Sequence, residues 1–181
     1  MVRIGQSAGN HIAWDPQRLH ARHPVEGHEK MNLSAEWVVG FVDGEGCFYV
    51  GINRHPEMSV GYQVLPEFRV VQHQRDVVVL YALKRFFRSG VVRQNHADRY
   101  ELRIRKVSAL MDVIAFFEQH PLKTKKRQDF LKFRDIVKRM QRNEHLNREG
   151  LQRIVAISLQ MNREDKPQAK AILAELKATT G

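Results

Sequence analysis

Val38-Val39-Gly40-Phe41-Val42-Asp43-Gly44-Glu45-Gly46 combines features that local rules usually keep apart: an apolar helical run, glycines within it, and carboxylates at its C-terminal end. The apolar spacing over 33–43 predicts a short helix, N-capped by Ser34, or by Asn32 if it begins one turn earlier. Gly44 and Gly46 are expected to break it. Gly40 and Gly44 lie four residues apart, on one side of the helix and its end. Glycine inside a helix costs about 1 kcal/mol relative to alanine, and the usual reason to retain it is close approach of another backbone. That backbone is either the chain's own sheet or, because only one such helix is present, the same helix of a second copy. The symmetric pairing is the more economical reading, with Val39, Gly40, Val42, Asp43 and Gly44 as its expected contacts.

Asp43 and Glu45 meet the negative end of the helix dipole, which is unfavourable by a few tenths to about 1 kcal/mol. Residues that break a local rule without structural gain are candidates for function. If two such helices met at a two-fold axis, two Glu45 carboxylates would repel unless a cation lay between them. Hard oxygen ligands with open positions suit Mg²⁺, and paired metals activate water and stabilise a leaving phosphate oxygen.

Outward from this segment, two strand-like runs follow at 47–54 and 62–72, joined by a turn bearing Pro and Gly. Phe48, Val50 and Ile52 alternate with Tyr49, Gly51 and Asn53; Tyr62, Val64, Phe68 and Val70 alternate with Gln63, Glu67 and Arg69. Helical spacing over 75–88 precedes a second hairpin at 91–95 and 99–105, in which Tyr100, Leu102 and Ile104 oppose Arg99, Glu101, Arg103 and Arg105. Further helices are expected over 108–119, 125–142, 148–161 and 167–177, the last with Pro167 at its start. The fold class is therefore α+β: an αββαββα core with a four-stranded antiparallel, saddle-like sheet and extra C-terminal helices. Residues 1–31 read as an irregular arm, 32–143 as the core and 144–181 as a helical extension. One sheet face is apolar and the other polar, basic and open, as antiparallel sheets permit.

Thirty Lys+Arg against twenty Asp+Glu leave a formal charge of +10 over 181 residues, with a pI near 10.0. Such an excess favours a polyanionic partner, because neutralising phosphates releases condensed counterions. The single cysteine, Cys47, excludes an intramolecular disulfide and a cysteine-rich zinc site. His11, His20, His23 and His28 fit no compact metal spacing. No apolar run reaches membrane-spanning length, and 1–30 lacks a signal-peptide core. An intracellular location is expected, in bacterial cytoplasm or nucleoid or in an organelle. There is no glycine-rich phosphate loop, nucleophile elbow or zinc spacing to support unrelated enzyme chemistry.

The nine-residue segment, ending in Asp-Gly-Glu-Gly and running directly into a strand, resembles the signature of the LAGLIDADG homing endonucleases. The hairpin-helix-hairpin-helix order extends the resemblance over about 33–141. Pro66-Glu67-Phe68-Arg69-Val70-Val71-Gln72-His73 is similar to the second strand of single-motif members from ribosomal RNA introns. Leu122-Lys123-Thr124-Lys125-Lys126-Arg127-Gln128 resembles their basic loop.

The resemblance implies a homodimer that makes a double-strand break in a long, pseudo-palindromic DNA site through metal-activated water, using Mg²⁺ or Mn²⁺ as substitute. It implies that Glu45 binds metal with help from the Gly44 carbonyl, that Gln72 positions a water, and that Lys125 lies near the scissile phosphate. Lys123, Lys126 and Arg127 are alternatives to Lys125, and all of them could instead grip phosphate. Arg75 is the nearest candidate for a further basic residue, although Asp76 holds what could be the aligned position. The polar sheet face is placed in the major groove, with Tyr49, Gly51, Asn53, Gln63, Glu67, Arg69, Arg93, Asn95, Arg99, Glu101, Arg103 and Lys123 as DNA contacts. Arg suits guanine, and Asn or Gln suits adenine; Glu67 and Glu101 would accept from cytosine or orient a neighbouring arginine. The alternatives on this scaffold are a non-cleaving DNA-binding regulator and an intron maturase, the latter adding RNA as a partner.

Overall fold

The computed structural model describes residues 31–162 and 165–178. The expected arm at 1–30 lies outside them. The first helix, α1, spans Ala35–Glu45, with the Ser34 side chain accepting from the Trp37 amide at 3.2 Å. It runs through Gly44 instead of stopping there, so the expected break moves to Gly46, whose backbone is extended (φ −73°, ψ 155°). The reason is steric. A Cβ at Gly46 would lie 2.5 Å from Val42 Cγ1 and 2.9 Å from the Val42 carbonyl oxygen, so glycine is what lets the chain leave the helix directly as a strand.

That strand, β1 (Gly46–Arg54), pairs antiparallel with β2 (Tyr62–His73) from Gly46↔Val70 to Arg54↔Tyr62. A 3₁₀ turn at Gln74–Asp76 leads into α2 (Val77–Phe86). The second hairpin is β3 (Val91–His96) and β4 (Arg99–Ile104), with a register shift between Gln94 and His96. β4 pairs with β2 from Phe68↔Ile104 to His73↔Arg99, so the sheet order is β1-β2-β4-β3. Four helices follow: α3 (Val107–Gln119), α4 (Lys126–Gln141), α5 (Arg148–Ser158) and α6 (Pro167–Ala178).

The period-2 alternation decides which sheet face is covered. Phe48, Val50, Ile52, Val64, Phe68, Val70, Leu102 and Ile104 are buried against the helices. Phe48 lies at the centre, 5.3–5.8 Å between ring centroids from Phe68, Phe117, Phe130 and Phe133, distances typical of stabilising aromatic pairs. The described residues from Asn32 onward fall in one compact unit, and the described part of the expected C-terminal extension shares this core through Leu151, Ile154, Val155, Ile172 and Leu176. The C-terminal end of α6 is satisfied from α5: the Leu176 carbonyl accepts from Arg148 Nε at 3.0 Å and from Gln152 Nε2 at 2.6 Å. Helix α5 is shorter than the expected 148–161. The chain turns after Ser158, and Asn162 takes a left-handed φ of 54° while its amide donates to Asp129 Oδ1 at 3.0 Å.

Candidate active site and nucleic-acid interface

The end of α1 and the end of β2 bring the two central candidates together. Gln72 Nε2 donates to Glu45 Oε2 at 3.3 Å, across 27 residues of sequence. Glu45 is exposed. Its carboxylate and the Gly44 carbonyl provide hard oxygen donors, the kind a divalent cation of the Mg²⁺ type takes. No group of three or more His, Cys, Asp or Glu suited to a metal occurs among the described residues.

The basic loop is anchored from the same helix. Asp43 Oδ2 accepts from the Lys123 amide at 2.6 Å, and Oδ1 accepts from the Thr124 hydroxyl at 2.8 Å and its amide at 3.3 Å. Thr124 Oγ1 in turn accepts from the Lys126 amide at 3.2 Å. This chain of bonds aims Lys126, whose Nζ donates to the Gly44 carbonyl at 3.1 Å and also to the Gly46 carbonyl. Burial pushes the Lys126 pKa below the usual lysine value, while Cys47, Asp43, Glu45 and Asp129 pull it upward. Lys125 and Lys123 have exposed side chains. Lys126, the middle of three consecutive basic residues, is therefore the one that reaches the Glu45 neighbourhood; residue type alone could not choose among them, whereas helix phase in α4 does. Arg75 does not join the cluster. Its Nε pairs with Asp76 at 3.2 Å, and its side chain is 79% exposed. His73 closes the end of β2, accepting from the Arg75 amide at 3.1 Å through Nδ1 and meeting Asp98 at 2.8 Å through Nε2.

On the expected pairing surface the side chains divide. Val42 is fully buried and Val39 is 9% exposed. Their apolar groups belong to the chain's own core, which removes Val42 as a contact for a partner. Asp43 is committed to the basic loop. Gly40 and Gly44 are exposed, and a Cβ at either would meet nothing within 4 Å. Among the described residues, therefore, no side chain or backbone packs where a Cβ of either glycine would stand. Beside them Trp37, 41% exposed, stacks on Phe41 with ring centroids 4.7 Å apart.

The polar sheet face carries the expected arginines. Glu67 and Glu101 are 4% and 1% exposed, so of the two expected roles their burial beneath the arginines favours orienting a neighbouring guanidinium over accepting from cytosine. Gly51 is also buried; a Cβ there would come 3.3 Å from Tyr49 Cε1, a close contact. The Tyr49 ring in turn supports the Arg69 guanidinium, 4.5 Å from its centroid. Asn53, Arg93, Asn95 and Arg99 are exposed, and Gln63 is half-buried. Arg105, placed on this face by the same alternation but left out of the expected contacts, pairs with Glu67.

The helix-strand junction, the sheet and the basic loop together define a class. Residues 38–137 match the family model described as LAGLIDADG endonuclease, and the chain belongs to that family. Among solved structures, the homing endonuclease I-TnaI superposes with a TM-score of 0.78 at 61% identity, covering 81% of this chain and 99% of that one. I-SmaMI, solved bound to cleaved DNA, gives a TM-score of 0.77 at 28% identity, covering 80% of this chain and 49% of its own. It has also been solved bound to an uncleaved DNA target in the presence of calcium ions. A probable intron-encoded endonuclease of Neurospora crassa is 31% identical over 129 residues, 70% of this chain and 24% of the relative. The DNA endonuclease I-CeuI of Chlamydomonas moewusii is 30% identical over 87 residues, 46% of this chain and 40% of the relative. The chain thus spans about a quarter of the length of the first fungal relatives it matches. No helix among the described residues is long and apolar enough to cross a membrane.

Proposed function

We propose that this protein is a homing endonuclease that acts as a symmetric dimer on a long, pseudo-palindromic double-stranded DNA site, each copy hydrolysing one strand with Mg²⁺. The observation that carries this reading is the Glu45–Gln72 contact at the end of a helix on which a Cβ at Gly40 or Gly44 would meet nothing within 4 Å among the described residues. Open glycines four apart suit the close approach of a second α1, and that approach brings two Glu45 carboxylates to one axis. Two copies and the scissile phosphates would supply the oxygen donors. The I-TnaI chain is covered to 99% by this one, so a single such unit accounts for a whole chain of that enzyme.

Bound metal would supply Lewis acidity and lower the pKa of a water molecule. The chain's own residues then divide the remaining work. Glu45 and the Gly44 carbonyl would hold the metal. Gln72, held on Glu45, is placed to orient a water by its amide. The Lys126 ammonium holds the Gly44 oxygen, whose second lone pair remains for another partner, and lends positive charge where phosphate charge develops. Lys125, Lys123 and Arg127 lie on the same loop and helix start and serve as phosphate contacts. The open sheet face reads the major groove through Arg, Asn and Gln side chains.

The test is cleavage. Sites selected from a randomised duplex library are placed in a plasmid and incubated with the protein in Mg²⁺. Linearisation that is lost in Glu45→Gln, with binding retained in Ca²⁺, is the expected result. Binding without cutting in either Mg²⁺ or Mn²⁺ would instead make the protein a DNA-binding regulator.

A further inference from the structure

We propose that Glu67 and Glu101 are specificity-determining positioning residues, which hold the sheet's arginines as a fixed lattice aimed at base edges and keep them off the phosphates. The proposal rests on the reading of this face as the DNA surface. Pairing across β2 and β4 sets Arg69 opposite Arg103, and pairing across β3 and β4 sets Arg93 opposite Glu101. Arg103 sits between the two carboxylates, its Nε 3.8 Å from Glu101 and its NH1 3.9 Å from Glu67. Arg93 Nε donates to Glu101 at 2.7 Å; Arg69 Nε lies 3.6 Å from Glu67, and Arg105 pairs with Glu67.

A face built only to grip DNA gains nothing from buried acids. Taking a carboxylate out of water is unfavourable unless partners repay it, and here it also lowers the local charge: four arginines less two glutamates leave +2. What the acids add is orientation. A guanidinium has five donors in a rigid fork, so Arg93, which commits Nε to Glu101, keeps its terminal nitrogens for guanine O6 and N7 in a fixed plane. A guanidinium without that anchor can swing to the nearest phosphate, which carries no sequence information.

The experiment compares wild type, Glu101→Gln and Glu67→Gln as full chains, binding a randomised duplex library in Ca²⁺, with sequencing of the bound fraction and a salt titration on one selected site. Each variant should keep a cooperative thermal transition. Preference at the affected base pairs should fall by roughly tenfold, the scale of one good bidentate base contact. Affinity for unselected DNA should rise, and the slope of log K against log salt should steepen by up to about 0.9, the value for one added phosphate contact. Arg93→Lys, which keeps the charge but not the fork, should lose preference at its own position with the salt slope unchanged; it also serves if a glutamine variant fails to fold. Unchanged preference in folded glutamine variants overturns the proposal, as does a loss confined to a cytosine position with no change in salt slope, since that marks direct reading by the acid. If Arg93→Ala and Arg103→Ala leave all DNA binding intact, the DNA-face reading itself fails and the proposal with it.

Discussion

The ammonium nitrogen of Lys126 lies 3.1 Å from the carbonyl oxygen of Gly44, the residue immediately before Glu45. A cation from one end of the molecule's basic loop is thus tied to the backbone that presents the proposed metal ligand. Lys126→Met should lower the cleavage rate on the order of 10²-fold or more, the scale for losing one charge-stabilising donor, with DNA affinity little changed. Lys125→Ala should cost far less. Single-turnover cleavage rates beside equilibrium binding check both.

The same lysine should leave a mark on pH dependence. Its pKa is lowered, chiefly by burial, so cleavage should begin to decline on the alkaline side at a pH below the ordinary lysine range. Stability moves oppositely. Between the lowered folded pKa and the unfolded one, the unfolded chain binds more protons, so stability rises with pH through that window. Denaturant midpoints in Lys126→Met should lack this rise.

Asp43 was expected at the dimer seam, yet it holds the basic loop through two amides and a hydroxyl. Asp43→Ala should destabilise the fold by about 1.5–3 kcal/mol, the range for hydrogen bonds to a charged group, and should lower cleavage by releasing Lys126. Urea melts followed by cleavage assays in stabilising conditions separate the two effects.

The C-terminal helices are structural. Ile172→Ala should cost about 2–5 kcal/mol as a buried large-to-small change, whereas Arg153→Ala, which removes an exposed pair with Glu149, should cost less than about 1 kcal/mol. Thermal melts of the two variants give the comparison directly.

Most of the fold was legible because each strand has a buried and an open face, and period-2 alternation assigned Phe48, Val50, Ile52, Leu102 and Ile104 to the core without knowledge of partners. Gln72 and Glu45 were legible as a pair only through resemblance, since no local pattern joins residues 27 apart. What stayed hidden depended on packing direction. The helix continued through Gly44 because burial of Val38, Val39 and Val42 outweighs glycine's modest helical cost. The choice of Lys126 over Lys125 turned on a one-residue difference in helix phase, about 100° on the α4 surface. Glu67 and Glu101 read as exposed by alternation, but four long arginine side chains cover them.

Gln72→Ala should reduce cleavage while sparing affinity, because its contact is with Glu45 and not with the sheet face. Gln72→Glu should need less Mg²⁺ for half-maximal cleavage than Gln72→Ala, since a second carboxylate beside the first adds charge to the proposed ligand set. Cleavage rates over a Mg²⁺ titration distinguish them.

In the proposed dimer α1 meets its own copy across Gly40 and Gly44. Sedimentation velocity on the wild-type chain and on Gly40→Leu tests it most directly. A Cβ at Gly40 meets nothing within 4 Å among the described residues, so the variant should fold, with its helix favoured by up to about 1 kcal/mol. Wild type should sediment at twice the 21.1 kDa chain mass and Gly40→Leu at the single mass, with cleavage lost. A wild-type monomer with and without target DNA, or a Gly40→Leu protein that remains dimeric and active, would contradict the account.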